Sequence, residues 1–403
     1  MRIWLVNPFE ASPAEGYPRG RYAALSAALA RRGHEVTWWS SDFSHFKKAY
    51  RPPADAGATP PPGLHDVTLR SVHAPAYRGN ASLSRVASHA GLAFATARAM
   101  LREASQPDLI MATSPPLEVS AAVAEVARRR CARFCLDVGD VWPDSFALLL
   151  PPRLRVASSM LLWPHQRLLR YALRRADALV AISETYLSWA LAHRGSSPRD
   201  QGIFPWASDR PLEPVRRELA ADRLVAVFCG TLGITYDFDM IFAAAKALAE
   251  RSRHDVEFRI VGEGPRRGEL ERRAAGVASV KIVGPLYGEA LDEEMRRAHV
   301  GLCTYVPDAP QSLPIKLYQY LAWGLPVLET LDGEMGSLLK SEEMGLTVRS
   351  AGQLADSLVG FREEPLRWQG LAEAALAYSR EHDLAAVSGE LADFCERVVE
   401  RGV

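Results

Sequence analysis

Apolar residues recur along the chain with two alternating spacings. Short apolar and β-branched runs lie at Arg2–Val6, Val36–Ser40, Leu109–Thr113, Ala132–Asp137 and Ala178–Ile182. Between them run longer Ala-, Leu- and Arg-rich stretches with the 3.6-residue period of a helix, among them Arg21–Arg32, Ser82–Ser105 and Pro116–Arg130. Near-continuous apolar runs suit strands buried on both faces, and intervening helices supply right-handed crossovers. The pattern predicts a parallel sheet with helices on both sides.

The rhythm lapses between Pro205 and Asp222, where Pro205, Pro211 and Pro214 stand among mixed charges, and this stretch reads as a linker. It restarts at Leu224–Cys229 and continues through Glu257–Val261, Val280–Val283, Val300–Cys303 and Pro326–Glu329. A chain of 403 residues outgrows a single ordinary core. The expected fold class is therefore α/β, with two Rossmann-like doubly wound domains at residues 1–205 and 206–380. A last helix over residues 381–403, with Val387, Leu391, Phe394 and Val398 at helical spacing, is free to pack back on the first domain. Pro52–Pro62 reads as a loop.

Composition narrows the function. Lys+Arg and Asp+Glu both number 48, so the chain lacks the basic excess of a general nucleic-acid binder. No charged, cleavable leader and no run of about 20 apolar residues is evident, which predicts a cytoplasmic protein. Cys131, Cys135, Cys229, Cys303 and Cys395 are scattered and odd in number, so reduced thiols are expected and neither a disulfide framework nor zinc.

Ligands of open α/β sheets lie beyond the carboxyl ends of the strands. After the first strand, Gly16 and Gly20 precede a helix and allow close approach of backbone to a ligand. Gly33 suits a left-handed helix end, with His34 a turn residue. Asp137, Asp140 and Asp144 crowd the loop after the 132–137 run, where Asp140 is the leading candidate for orienting hydroxyls and Trp142 for covering a sugar ring. In the second half Gly230, Thr231 and Gly233 follow one strand, and Glu263 and Gly264 another; they serve either a phosphate or simply tight turns. In Asp308–Tyr320, Ser312 is placed to N-cap a helix with Pro314 in its first turn. Its orphan amides around Leu313 and the charge of Lys316 suit a diphosphate, and Gln319 suits ribose hydroxyls.

Taken together, Arg31–Val36 with Ser40–His45, Asp140–Ser145, Gly230–Gly233, Val261–Pro265 and Ser312–Tyr320 resemble the GT4 family of retaining glycosyltransferases with the GT-B fold, in particular bacterial enzymes of surface-polysaccharide and glycan assembly. The resemblance spans nearly the whole chain. It implies two domains facing a cleft, a donor site in the second and an acceptor site in the first. It further implies a hexosyl- or N-acetylhexosaminyl-type transferase acting with retention, a UDP- or GDP-sugar donor, and no required cofactor or metal. The acceptor class is a glycan, a lipid-linked or a small-molecule hydroxyl. The family's two glutamates, eight positions apart, fall on Gln311 and Gln319, and the Arg and Lys usual after the first strand of the donor domain are replaced by Ile234, Thr235 and Tyr236. Phosphate binding then leans on Lys316 and backbone amides, with Asp140 orienting the acceptor. A nucleotide-sugar epimerase on the same fold, or a binding partner that lost its chemistry, are the alternatives. Residues 151–175 carry six arginines and no acid, which suits peripheral contact with an anionic membrane.

Overall fold

The structure is a computed structural model of the chain, and it describes residues 1–11, 20–45, 47–51, 64–79, 82–149, 153, 158–209, 219 and 223–401. Gly16, the Pro52–Pro62 loop and most of the expected linker lie outside the described residues.

The chain divides into two compact units, Met1–Pro205 with Ala385–Val403, and Trp206–Leu384. The first holds strands β1 (Arg2–Val6), β2 (Glu35–Ser41), β5 (Val67–Val72), β6 (Leu109–Ser114), β7 (Arg133–Val138), β8 (Ala178–Ala181) and β9 (Asp200–Ile203), and a small antiparallel pair, β3 (Phe43–Ser44) with β4 (Ala49–Tyr50). Its seven-stranded parallel sheet runs β5-β2-β1-β6-β7-β8-β9. Helices α1 (Arg21–Arg31), α2 (Leu83–Arg102), α3 (Leu117–Arg129), α4 (Trp163–Arg175) and α5 (Glu184–Arg194) belong to the same unit.

The second unit holds β10 (Leu224–Cys229), β11 (Val256–Val261), β12 (Val280–Gly284), β13 (Val300–Cys303), β14 (Val327–Glu329) and β15 (Gly345–Thr347), in the parallel order β12-β11-β10-β13-β14-β15. Its helices are α6 (Phe238–Glu250), α7 (Arg267–Ala274), α8 (Gly288–Arg297), α9 (Ile315–Ala322), α10 (Glu334–Ser341), α11 (Ala351–Glu363) and α12 (Pro365–Glu381). Both sheets reverse direction beside their first strand, at β1/β6 and at β10/β13. This switch is where a doubly wound sheet opens a crevice for ligands.

Local chemistry sets the boundaries. Ser82, Ser183 and Asp237 cap α2, α5 and α6 by accepting the amides of Arg85, Tyr186 and Met240. Gly33 follows α1 at φ 81° and Gly195 ends α5 at φ 83°, a left-handed turn that glycine adopts without strain. Central strands such as β1 and β10 are almost wholly buried, matching their unbroken apolar runs. Of the strands in the two large sheets, the apolar pattern does not reveal β5, β9 and β15, all three at sheet edges. The middle four residues of β5, Thr-Leu-Arg-Ser, are exposed, so it carries no apolar run to detect.

Helix α13 (Leu384–Glu400) returns to the first unit. Arg32 bonds Asp393 at 2.5 Å and Glu396 at 3.0 Å, and Phe394 meets Phe204 edge-on at 5.4 Å. His34, expected as a turn residue, anchors this helix through Nε2 to Glu396 Oε1 at 2.6 Å.

Candidate active site

At the carboxyl rim of the first sheet the three aspartates of the acidic loop take separate tasks. Asp137 is buried and gripped by Arg21, with Nε–Oδ2 3.1 Å and Nη2–Oδ1 3.3 Å. Arg21 also donates to the carbonyls of Phe204 at 2.7 Å and Pro205 at 3.2 Å, tying α1 to β7 and to the chain leaving β9. Asp144 accepts the Trp189 indole at 2.9 Å and lies 3.3 Å from His193 Nε2. Asp140 accepts its neighbour's amide, Val141, at 2.7 Å, and burial pushes its carboxyl up to about 6.

Gly20 does N-cap α1, but the start of that helix is already taken by a carboxylate of the chain. Glu10 accepts the amides of Tyr22 at 2.9 Å and Ala23 at 2.8 Å. A Cβ on Gly20 would lie 2.4 Å from the Glu10 carboxyl carbon, so the glycine makes room for Glu10 rather than for a ligand. Burial, opposed by those two amides, raises Glu10 to about 7.

Trp142 does not stand alone. The Arg85 guanidinium, itself buried, lies 4.5 Å over its ring and Phe146 packs at 4.3 Å, so the half-buried indole is covered by both. Around them gather Phe9, which packs on His45 at 4.8 Å and on His89 at 5.5 Å, and Lys48, 4.6 Å from the Tyr77 ring. Glu118 lies 3.5 Å from His89 and 3.4 Å from His165, and its hydrogen bonds to those rings bring it down to about 2 against the opposing effect of burial. Burial lowers His45 to about 3 and Lys48 to about 8, with neighbouring cations adding to both. Of these residues only His45 lies in a segment that carries the family resemblance; they converge from the loops after β1, β3 and β5, from α2 and α3, and from the start of α4.

In the second unit the glycines serve backbone packing. Gly230 donates to Val261 O at 2.9 Å, Leu232 to Glu263 O at 2.9 Å and Gly262 to Gly284 O at 2.8 Å. Gly230 and Gly262 hold φ near 150°, and a Cβ on Gly262 would sit 1.8 Å from Gly230 O. On Gly264 it would lie 2.6 Å from Leu232 O. The two loops lie back to back, and the amides of Gly230, Leu232 and Gly233 are spent on internal bonds rather than offered to a phosphate. Thr231 and Glu263 point outward; Glu263 accepts from Arg267 Nη1 at 2.5 Å.

Lys316 is the unusual group. It is 4% exposed, and its ammonium sits 3.8 Å from the centre of the Phe228 ring, 3.9 Å from Tyr236 and 5.6 Å from Tyr305. Its Nζ has no hydrogen-bond acceptor among the described residues. Burial lowers it to about 8. Gly230 abuts it, since a Cβ there would lie 3.1 Å from Nζ. Tyr236 is thus a wall of the lysine's box. Ser312 does not cap α9: Pro314 is the N-cap, and Ser312 Oγ instead donates to Glu334 Oε2 at 2.7 Å, holding the loop to α10. Leu313 is buried in the same core, Gln319 is half-buried, and Gln311 Oε1 is buried with no donor among the described residues. The structure thus brings Gly230 and Lys316 together at the β10/α9 rim, and Asp140 and Trp142 together in the other unit.

Two family models match the chain: a glycosyl transferase 4-like domain over residues 20–205 and glycosyl transferases group 1 over residues 223–363. The chain is built of two glycosyltransferase domains. Its architecture agrees, since GT-B glycosyltransferases pair two such parallel-sheet units. The glycosyltransferase is similar in fold to sucrose-phosphate synthase from Thermosynechococcus elongatus, with a TM-score of 0.72 at 15% identity over 99% of both chains. It is also similar to HepE from Anabaena, solved with UDP-glucose, with a TM-score of 0.63 at 13% identity over 98% of this chain and 100% of that one. WaaG, a glycosyltransferase involved in lipopolysaccharide biosynthesis, matches with a TM-score of 0.63 at 15% identity over 98% and 99%. No curated protein sequence matches this one. Among the described residues no group of three His, Cys, Asp or Glu side chains is placed to hold a metal, and no helix is long and apolar enough to cross a membrane.

Proposed function

We propose that this glycosyltransferase moves a hexosyl or N-acetylhexosaminyl group from a UDP- or GDP-sugar to an acceptor hydroxyl, with retention of configuration and without a metal. The observation that carries the reading is the Lys316 ammonium, buried at the start of α9 with aromatic faces around it and no acceptor among the described residues. A diphosphate leaving group needs cationic stabilisation as its charge develops, and a lysine beside a helix N-terminus supplies it. The amides of Ser312 and Leu313 add donors at the same place, and Gln319 meets the ribose. Asp140, ionised above about pH 6, orients the acceptor and accepts its proton as the hydroxyl attacks the face from which the nucleotide departs. UDP-glucose bound to HepE supports a nucleotide-sugar donor.

The acceptor is a glycan or lipid-linked chain met at an anionic membrane surface on the cytoplasmic side. Met160, Leu161 and Trp163 are exposed beside the arginines of α4, with Arg167 4.8 Å over the Trp163 ring. The epimerase and binding-partner alternatives draw no support from either domain match.

The test is nucleotide binding by Lys316→Ala. Removing a charged donor to a diphosphate weakens binding by about tenfold to a hundredfold. Thermal shifts with UDP- and GDP-sugars measure it, and an unchanged donor affinity would remove Lys316 from the site.

A further inference from the structure

The amino edge of the first sheet, where β7, β8 and β9 begin, carries a cavity of about 280 Å³. Asp140 and Trp142 sit at the opposite, carboxyl edge of the same strands. Arg133, Arg174, Arg175, Arg194 and Arg199 line the cavity, against the carboxylates of Asp177 and Asp200. Both carboxylates are engaged: Asp177 accepts from Arg133 Nη1 at 3.2 Å and from the Phe134 amide at 2.9 Å, and Asp200 from Arg401 Nη1 at 2.6 Å.

Arg194 has a structural task, since its Nη1 donates to the carbonyl of Leu173 and, at 2.8 Å, to that of Ala176 at the end of α4. Its Nε is buried with no acceptor among the described residues. Helix capping leaves Arg174, Arg175 and Arg199 unexplained, for none of them pairs with a carboxylate among the described residues; Arg175 lies only against the Tyr171 ring, at 5.5 Å. Like charges held around one cavity repel, and an anion with several oxygens relieves them because guanidinium forks match phosphate geometry. The volume falls below the roughly 300–1,000 Å³ of pockets for drug-sized ligands, so it suits a phosphoryl group and not a whole nucleotide sugar.

We propose that this cavity binds a phosphate-bearing anion, a phosphomonoester or diphosphate, at a site separate from the sugar donor. The chemistry is shared by a free phosphate ester and by the headgroup of an anionic lipid. Val398 and Arg401, at the end of the returning helix, adjoin the site, so its occupancy also holds that helix in place.

The experiment uses the full chain carrying Lys316→Ala, which removes the proposed donor clamp, with and without Arg174→Gln, Arg175→Gln and Arg199→Gln. Calorimetric titration with inorganic pyrophosphate forms one arm. Flotation with vesicles of phosphatidic acid in phosphatidylcholine, against phosphatidylcholine alone, forms the other. Binding that weakens tenfold or more in the arginine variant supports the site: a response to pyrophosphate assigns a free anion, and a response to phosphatidic acid alone assigns a headgroup. Absence of binding in both arms, or binding that the arginine substitutions leave unchanged, overturns it. Thermal melts check the fold of the triple variant, and Arg199→Gln alone, a change at an exposed residue, repeats the comparison if the triple variant melts early.

Discussion

At the rim of the first sheet Arg21 and Asp137 are both buried and grip each other, whereas at the rim of the second Lys316 is buried as deeply and faces three aromatic rings. The first arrangement is paired: each charge has its partner, and the carbonyls of Phe204 and Pro205 take the two Nη1 donors. Among the described residues the second is held by ring quadrupoles, which contribute up to about 2 kcal/mol when desolvated and do not use the hydrogen-bonding capacity of the ammonium. A buried charge paired within the protein organises the fold; one without an acceptor is poised for a partner from outside.

The comparison breaks most visibly at Arg21. Arg21→Ala leaves Asp137 buried and unpaired and costs about 3–5 kcal/mol, while an added Asp137→Leu recovers much of that loss. Urea melts of the single and double variants decide it, and a single variant as stable as the parent would show that the pair is not what holds α1.

The opposite outcome is expected at Lys316. The folded state lowers this lysine from 10.5 to about 8, so the unfolded chain binds the proton more tightly and parent stability rises with pH between those values. Lys316→Met therefore stabilises the fold at pH 7, by about 1–3 kcal/mol once the lost ring contacts are discounted, and the gain fades towards pH 10.5. The same variant loses donor binding. A destabilised Lys316→Met would mean that the aromatic box is a structural pairing like that of Arg21.

Glu10 tests an intermediate case, a half-buried carboxylate held by helix amides. Its value is raised from 4.5 to about 7, so ionisation costs more in the folded chain and its contribution is lost as pH rises through 7. Glu10→Gln gains on the order of 2 kcal/mol over the parent at pH 8, and the two converge near pH 4.5. Melts across that range would show a constant difference if Glu10 were not the titrating group.

The smallest effect belongs to the seam of the returning helix. His34→Ala breaks the half-buried hydrogen bond to Glu396 and costs about 1 kcal/mol, as a single net hydrogen bond does. A loss several times larger would mean that this contact, and not the packing of Phe394 on Phe204, docks the last helix.

The central strands were legible because burial on both faces demands unbroken apolar runs, and the restart at Leu224 announced a second sheet. Edge strands such as Val67–Val72 pack on one side and carry polar residues, so no run marks them. Lys316 was legible from its place after Pro314, but its aromatic box was not, because Phe228, Tyr236 and Tyr305 come from three separate segments. The glycines at 230, 262 and 264 were visible as turn-formers, yet nothing in one loop tells that its backbone leans on another. Glu10 and Arg85 gave no sign, since a side chain's partner across the fold leaves no local periodicity.

The returning helix bears on how the protein is made. Synthesis proceeds from the amino end, and early domains ordinarily fold while later ones are still being translated. Here Phe394, Cys395 and Val398, buried in the finished molecule, belong to the unit whose sheet was completed by Ile203. The ribosome must add the whole second unit before the first receives its last helix. The first sheet therefore waits with an uncovered apolar face around Phe204, and stop codons or clipping near Ala385 would release a chain whose damage appears in the unit farthest from the cut in sequence.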